Sequence, residues 1–238
     1  MIPIRDVHAR DHGKTPFVTI LLIVANVLLF FYELALGERL EAFFMSSAFI
    51  PARYAEGGLT LGDLGPGLSS ALLSMFLHGG WGHLLGNMLF LWIFGDNVED
   101  RLGHVRYLLF YLLAGFAATL AHAWSAPASA VPAVGASGAI SGVLGAYLFL
   151  HPMARIQTLV FLGFLITTVQ IPAIVYLPIW FLIQAFSGVV SIGADASQAG
   201  GVAWFAHIGG FVAGPLLLFL LGGWRKPPEE AASRPTPW

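Results

Sequence analysis

The chain has 238 residues, 57% of them hydrophobic and only 10% charged, with a formal net charge of −2 and no cysteine. So low a charged fraction, against roughly 25% in soluble domains, together with a mean hydropathy of +0.78, marks an integral membrane protein. The near-neutral balance offers no footprint for nucleic acid, and the missing cysteines exclude disulfides, thiol catalysis and thiolate-held metals.

Residues 1–16 form a polar arm carrying Arg5, Asp6, Arg10, Asp11 and Lys14, followed by a first apolar span from Phe17 to Leu36. Glu33 and Glu38 stand where a small-residue cleavage site would be, so the span reads as a retained membrane helix and not a removed signal. Five more spans are expected, at Gly80–Phe94, Val105–Trp124, Gly135–Leu150, Ile174–Val190 and Ala203–Leu221. The second and fourth fall short of the about 20 helical residues a hydrocarbon core needs, implying local thinning or submerged helix ends. Residues 17–224 then form one membrane domain, and the Pro-rich, polar tail at 225–238 reads as disordered.

Loop charges orient this arrangement. With the amino terminus in the cytoplasm, that side receives Arg5, Arg10, Lys14, Arg101, Arg106, Arg155, Arg225, Lys226 and Arg234, and the opposite side only Arg39 and Arg53. The bias follows the positive-inside rule, and an even number of spans leaves both termini cytoplasmic. The expected fold is therefore an all-α membrane protein of six transmembrane helices.

Two stretches fit a plain bundle poorly. Residues 37–79 form a long outer loop with apolar content of its own, expected to lie in the membrane interface. Residues 156–172 are rich in β-branched and aromatic side chains. They read equally as an interfacial strand pair, a re-entrant piece or part of a longer span.

Polar groups at membrane depth are costly and by default functional. The second span opens His78-Gly79-Gly80-Trp81-Gly82-His83 and continues to Asn87, four residues beyond His83 on the same helix face. The fourth opens Gly135-Ala136-Ser137-Gly138, and the sixth opens Ala206-His207-Ile208-Gly209-Gly210, with Gly214 one turn further. Glycine and serine at four-residue spacing also serve plain helix packing, which is the bland reading of the fourth span. Topology supplies the sharper one. Spans two, four and six enter from the same outer side, so His83, Asn87, Ser137 and His207 share one shallow depth. A serine nucleophile needs a base within hydrogen-bond reach and donors where the oxyanion develops. His207 qualifies as the base; Asn87, His83 and the backbone N–H of Ser137 qualify as donors. The acids fall in loops, tails or at Glu33, so the chain builds a Ser–His dyad and not a triad.

The set His78-x-x-x-x-His83-x-x-x-Asn87, Gly135-x-Ser137-Gly138 and Ala206-His207-x-Gly209-Gly210-x-x-x-Gly214 resembles that of the rhomboid intramembrane serine proteases. The resemblance runs through all six segments and includes a cytoplasmic turn, Gly95 to Gly103 around Glu99, similar to the family's Gly-x-x-x-Glu-x-x-x-Gly pattern. It implies a Ser137 nucleophile, a His207 base, His83 and Asn87 as oxyanion donors, and His78 as a supporting polar residue. Gly135, Gly138, Gly210 and Gly214 would support the site by close packing. It further implies an outward-opening wet cavity, a gate near the fifth span, and single-span membrane-protein substrates cut near the outer boundary of a plasma or inner membrane. No metal and no organic cofactor is required.

Two positions depart from the family. Ser69-Ser70 stand where many members have Trp-Arg, so no loop-anchoring role carries over. Ser141 replaces an aromatic that packs on the catalytic histidine; it is expected to bond within its own helix. His8, His12, His104, His122 and His151 have no second ligand at short spacing and suggest no zinc site. A non-catalytic rhomboid-like chaperone need not keep both Ser137 and His207. A histidine-relay transporter is disfavoured by the lack of internal repeats and of a mid-membrane carboxylate.

Overall fold

The computed structural model describes residues 1–7, 15–55, 61–162, 165–193 and 204–223. His8, His12 and the tail at 225–238 lie outside the described residues.

Helix α1, Phe17–Leu36, follows Pro16 and ends at Gly37, whose φ of +53° suits a residue without a side chain. Its first turn has no cap of its own. Instead the backbone N–H groups of Val18 and Thr19 donate to the Glu99 carboxylate at 2.8 Å each, and Thr19 Oγ1 donates to it at 2.7 Å. A distant carboxylate thus satisfies the orphan donors and complements the helix dipole.

A 3₁₀ turn at Gly37–Arg39 leads into α2, Leu40–Ser47, α3, Ala52–Ala55, and α4, Leu61–Ser74. This connection is pinned to the segment ahead of Ser137. Phe49 bridges to Ala133, Ala52 N donates to Ser129 O at 3.0 Å, and Phe49 N donates to Ser74 Oγ at 2.8 Å.

Helix α5 spans Trp81–Leu102, 22 residues, and breaks at Gly103 with φ +76°. The short second segment ending at Phe94, and the turn expected from Gly95 to Gly103, are corrected: the polar residues continue the same helix. Hydropathy falls at Asp96, but Asn97, Glu99 and Asp100 are buried, and fixed partners there sustain the helix where apolar burial stops. Glu99 caps α1 and also meets His104 Nδ1 at 2.6 Å. His104 opens α6, His104–Ser125.

Helix α7, Ser137–Leu150, lies at the centre, with every residue from Gly138 to Tyr147 buried. It packs against α6, α5 and α9, Trp204–Leu220, while α8 covers Ala173–Gly193. Buried aromatics, among them Phe94, Tyr107, Phe110, Tyr111 and Tyr147, fill the core. Apolar side chains also face outward, as at Leu28, Trp92, Leu120 and Leu216, each more than half exposed. A surface of that kind belongs against lipid. By length and composition, Phe17–Ser47 and His104–Ser125 are long and apolar enough to cross a membrane, and α7 and α9 are shorter apolar helices.

The chain is mostly helical, not wholly so. Strands β1, Ile2–Asp6, β2, Arg155–Leu162, and β3, Leu165–Pro172, form an antiparallel sheet in the order β1-β2-β3. Of the three readings of residues 156–172, the strand pair is the one the chain adopts, with Arg155 opposite Pro172 and Leu162 opposite Leu165. The arm contributes as well. Residues 2–6 form a third strand, Ile2 opposite Leu159 and Asp6 opposite Ile156, joined to α5 by Asn97 Nδ2 donating to Asp6 Oδ2 at 3.1 Å. Arg5 Nε donates to Gln157 Oε1 at 2.7 Å.

Candidate active site

The site begins with a backbone requirement. Gly135 holds φ +127°, a conformation that disfavours side chains, and donates its N–H to Ser74 O at 2.9 Å. A Cβ there would lie 2.6 Å from His83 Nε2 and 3.5 Å from Ser137 Oγ. The imidazole of His83 and the hydroxyl of Ser137 therefore both face the side of Gly135 that carries no Cβ. Two residues on, α7 starts at Ser137, whose backbone N–H is among the unpaired donors of a helix start.

Helix α9 comes against α7 without side chains between them. A Cβ on Gly210 would strike Gly138 O, and one on Gly214 would strike Gly142 O. On its other side Gly138 meets α6, where its Cβ would lie 2.6 Å from the Ala118 methyl. This approach brings His207 Nε2 to 2.7 Å from Ser137 Oγ, across seventy positions of sequence. With the hydroxyl donating to Nε2, the ring proton sits on Nδ1. His207 Nδ1 is buried with no hydrogen-bond partner among the described residues. The ring is held from the side by Trp204, edge-on at 5.8 Å between centroids. Trp204 was missed in the sequence; its signal is an aromatic three residues before the histidine, on the same face of the same helix.

His78 and Asn87 form a second pair. Asn87 Nδ2 lies 3.0 Å from His78 Nε2, and His78 Nδ1 lies 3.2 Å from Phe76 O. A carbonyl only accepts, so Nδ1 carries the proton and Nε2 accepts from the Asn87 amide. The His83 ring lies 5.2 Å from that of His78, and its Nε2 packs closely against Gly135. Glu33, noted in the sequence only as an acid closing the first span, accepts the backbone N–H of His78 at 3.1 Å.

Ser141 requires a correction. Its Oγ is buried and makes no hydrogen bond among the described residues, so it does not bond within its helix. Ser69 bonds locally, to Pro66 O at 3.0 Å, whereas the Ser70 hydroxyl bonds Gly67 O and also the Tyr54 hydroxyl of α3, each at 3.1 Å, and Ser74 accepts from Phe49 N. A pocket of about 50 Å³ beside Ser137 is lined by Ser74, Thr119, His122 and Ala206, so His122 is closer to the site than its place in the sequence suggests.

A hydroxyl hydrogen-bonded to an imidazole, beside Gly135 and further N–H donors, is equipped for acyl transfer. The sequence model of the rhomboid domain matches residues 66–224, two thirds of the chain and every helix of this site except α1. The chain belongs to the rhomboid family. It is 35% identical over 146 residues to RHOMBOID-like protein 4 of Arabidopsis thaliana, covering 61% of this chain and 32% of that protein. It is 36% identical over 96 residues to Rhomboid protein 1, mitochondrial, of Saccharomyces cerevisiae, covering 39% and 28%. Over 78 residues it is 45% identical to Rhomboid protease GluP of Bacillus subtilis, covering 33% and 15%. The chain thus spans less than a third of each of these relatives. As a rhomboid it is an integral membrane protein, consistent with the apolar faces it turns outward.

Proposed function

We propose that this rhomboid is an intramembrane serine endopeptidase that hydrolyses single-span membrane proteins near the outer membrane boundary. In this reading six helices, α1, α5, α6, α7, α8 and α9, cross a cell membrane with both termini in the cytoplasm. The openings of α5, α7 and α9 then lie toward the outer side. The observation that carries the proposal is the 2.7 Å contact between Ser137 Oγ and His207 Nε2.

Substrate enters beside α8, unwinds locally and presents its scissile carbonyl to Ser137. As Oγ attacks the carbonyl carbon, its proton passes to His207 Nε2. The negative oxygen is met by N–H groups of Asn87 and His83 and by the Ser137 backbone. His207 then protonates the leaving amine as the C–N bond breaks, leaving an acyl ester on Ser137. Water, deprotonated by His207, attacks that ester and releases the new carboxyl terminus. Every proton is carried by one imidazole, so no metal or cofactor takes part.

The test is to incubate the wild type and Ser137→Ala with a panel of single-span fusion proteins and map new ends by mass spectrometry. Cleavage that falls more than about 10³-fold in the variant supports the dyad; unimpaired cleavage by Ser137→Ala overturns it.

A further inference from the structure

We infer that Glu33 is a positioning residue for the oxyanion site, acting from α1 through His78 on the Asn87 amide. This rests on the roles proposed above for Ser137, His207 and Asn87.

Glu33 lies in the last turn of α1 and is only 1% exposed. A carboxyl group enclosed in a largely apolar helix is costly unless something specific uses it. What uses it here is main chain. His78 N donates to Glu33 Oε1 at 3.1 Å and approaches Oε2 at 3.3 Å. His78 belongs to the short non-helical stretch between α4 and α5, where backbone donors have no ladder and need partners from elsewhere. The same end of α1 grips the first residue of α5. Phe30 and Phe31 meet the Trp81 ring edge-on, at 5.0 and 6.1 Å between centroids. Helix α1 therefore fixes the entry to α5 at two points, one polar and one aromatic.

The polar point leads straight to the proposed chemistry. With its backbone held by Glu33 and its Nδ1 proton committed to Phe76 O, the His78 ring has one orientation and one tautomer. Its Nε2 then accepts one N–H of Asn87. That bond settles which way the amide is flipped and leaves the second N–H to serve as a donor. Without Glu33 the His78 backbone loses its acceptor, the ring is free to shift, and the amide follows. A displacement of a fraction of an ångström suffices, because an oxyanion donor works only when aimed where the charge develops.

The experiment measures kcat and KM on a single-span fusion substrate, with thermal unfolding, for Glu33→Ala, Glu33→Gln, Asn87→Ala and the Glu33→Ala/Asn87→Ala double variant. Glu33→Ala should lower kcat by about 10-fold or more with KM unchanged, short of the roughly 10²–10³ expected for losing a donor outright. Glu33→Gln keeps an oxygen that accepts the His78 N–H and should stay within a few-fold of wild type. The double variant should be no slower than Asn87→Ala alone, since Glu33 acts through that amide. If Glu33→Ala does not fold, Glu33→Leu fills the same space without an acceptor and should show the same loss. Equal losses in both backgrounds, a change confined to KM, or a glutamine variant as poor as alanine would overturn the inference. Normal turnover in Glu33→Ala alongside a dead Ser137→Ala overturns it alone, whereas an active Ser137→Ala removes the reading beneath it.

Discussion

Gly214 of α9 rests directly on the carbonyl oxygen of Gly142 in α7, with no room for a side chain between them. One turn earlier Gly210 rests on Gly138 O in the same way. The separation of the two helices is thus set by backbone against backbone, and the Ser137–His207 contact sits at the end of that seam. Small residues hold apolar helices together by van der Waals contact where no hydrophobic driving force acts between them.

Gly214→Val is accordingly expected to push α9 away from α7 although it touches neither Ser137 nor His207. The colliding atom is backbone and has nowhere to turn, so overpacking should cost about 1–3 kcal/mol. Widening a 2.7 Å contact by even an ångström should lower cleavage by about 10²-fold. The check is cleavage and fluorophosphonate labelling of Ser137 on the same samples, which should fall together.

Glu99 joins three helices, capping α1 from α5 and holding His104 at the start of α6. Glu99→Ala leaves the N–H groups of Val18 and Thr19 buried without acceptors and should destabilise by roughly 2–6 kcal/mol, about 1–3 for each orphaned donor. Thermal unfolding in detergent measures this. Glu99→Gln retains one acceptor oxygen and should fall between alanine and wild type.

Ser141 gives the opposite expectation. Its hydroxyl is buried without a partner among the described residues, so removing it sheds a desolvated polar group. Ser141→Ala should leave cleavage unchanged and raise stability by about 1 kcal/mol. A clear loss of activity would show that the hydroxyl has a role in cleavage.

Much was legible in the chain read alone, because a membrane limits what a sequence can do. Apolar runs must become helices, since an unpaired backbone group in lipid is too costly. The spans expected at Phe17–Leu36, Val105–Trp124 and Gly135–Leu150 followed from length and hydropathy, and the helices at Phe17–Leu36, His104–Ser125 and Ser137–Leu150 match them to within two residues. Strongly polar groups inside such runs stand out, and this drew attention to Ser137, His207, His83 and Asn87. The same logic failed where burial is polar. The stretch after Phe94 reads as a loop by hydropathy, yet it is helix, because Glu99 and Asn97 have partners supplied by α1 and by the amino-terminal strand.

Composition and order along the chain determined that this is a membrane protein and which side chains are out of place in lipid. Tertiary structure decided what those side chains touch: Trp204 against His207, Glu33 beneath the His78 backbone, and residues 2–6 as a strand beside Leu159. A hydrogen bond or a sheet pairing depends on the positions of two segments at once, and hydropathy, read one segment at a time, carries no record of the distance between them.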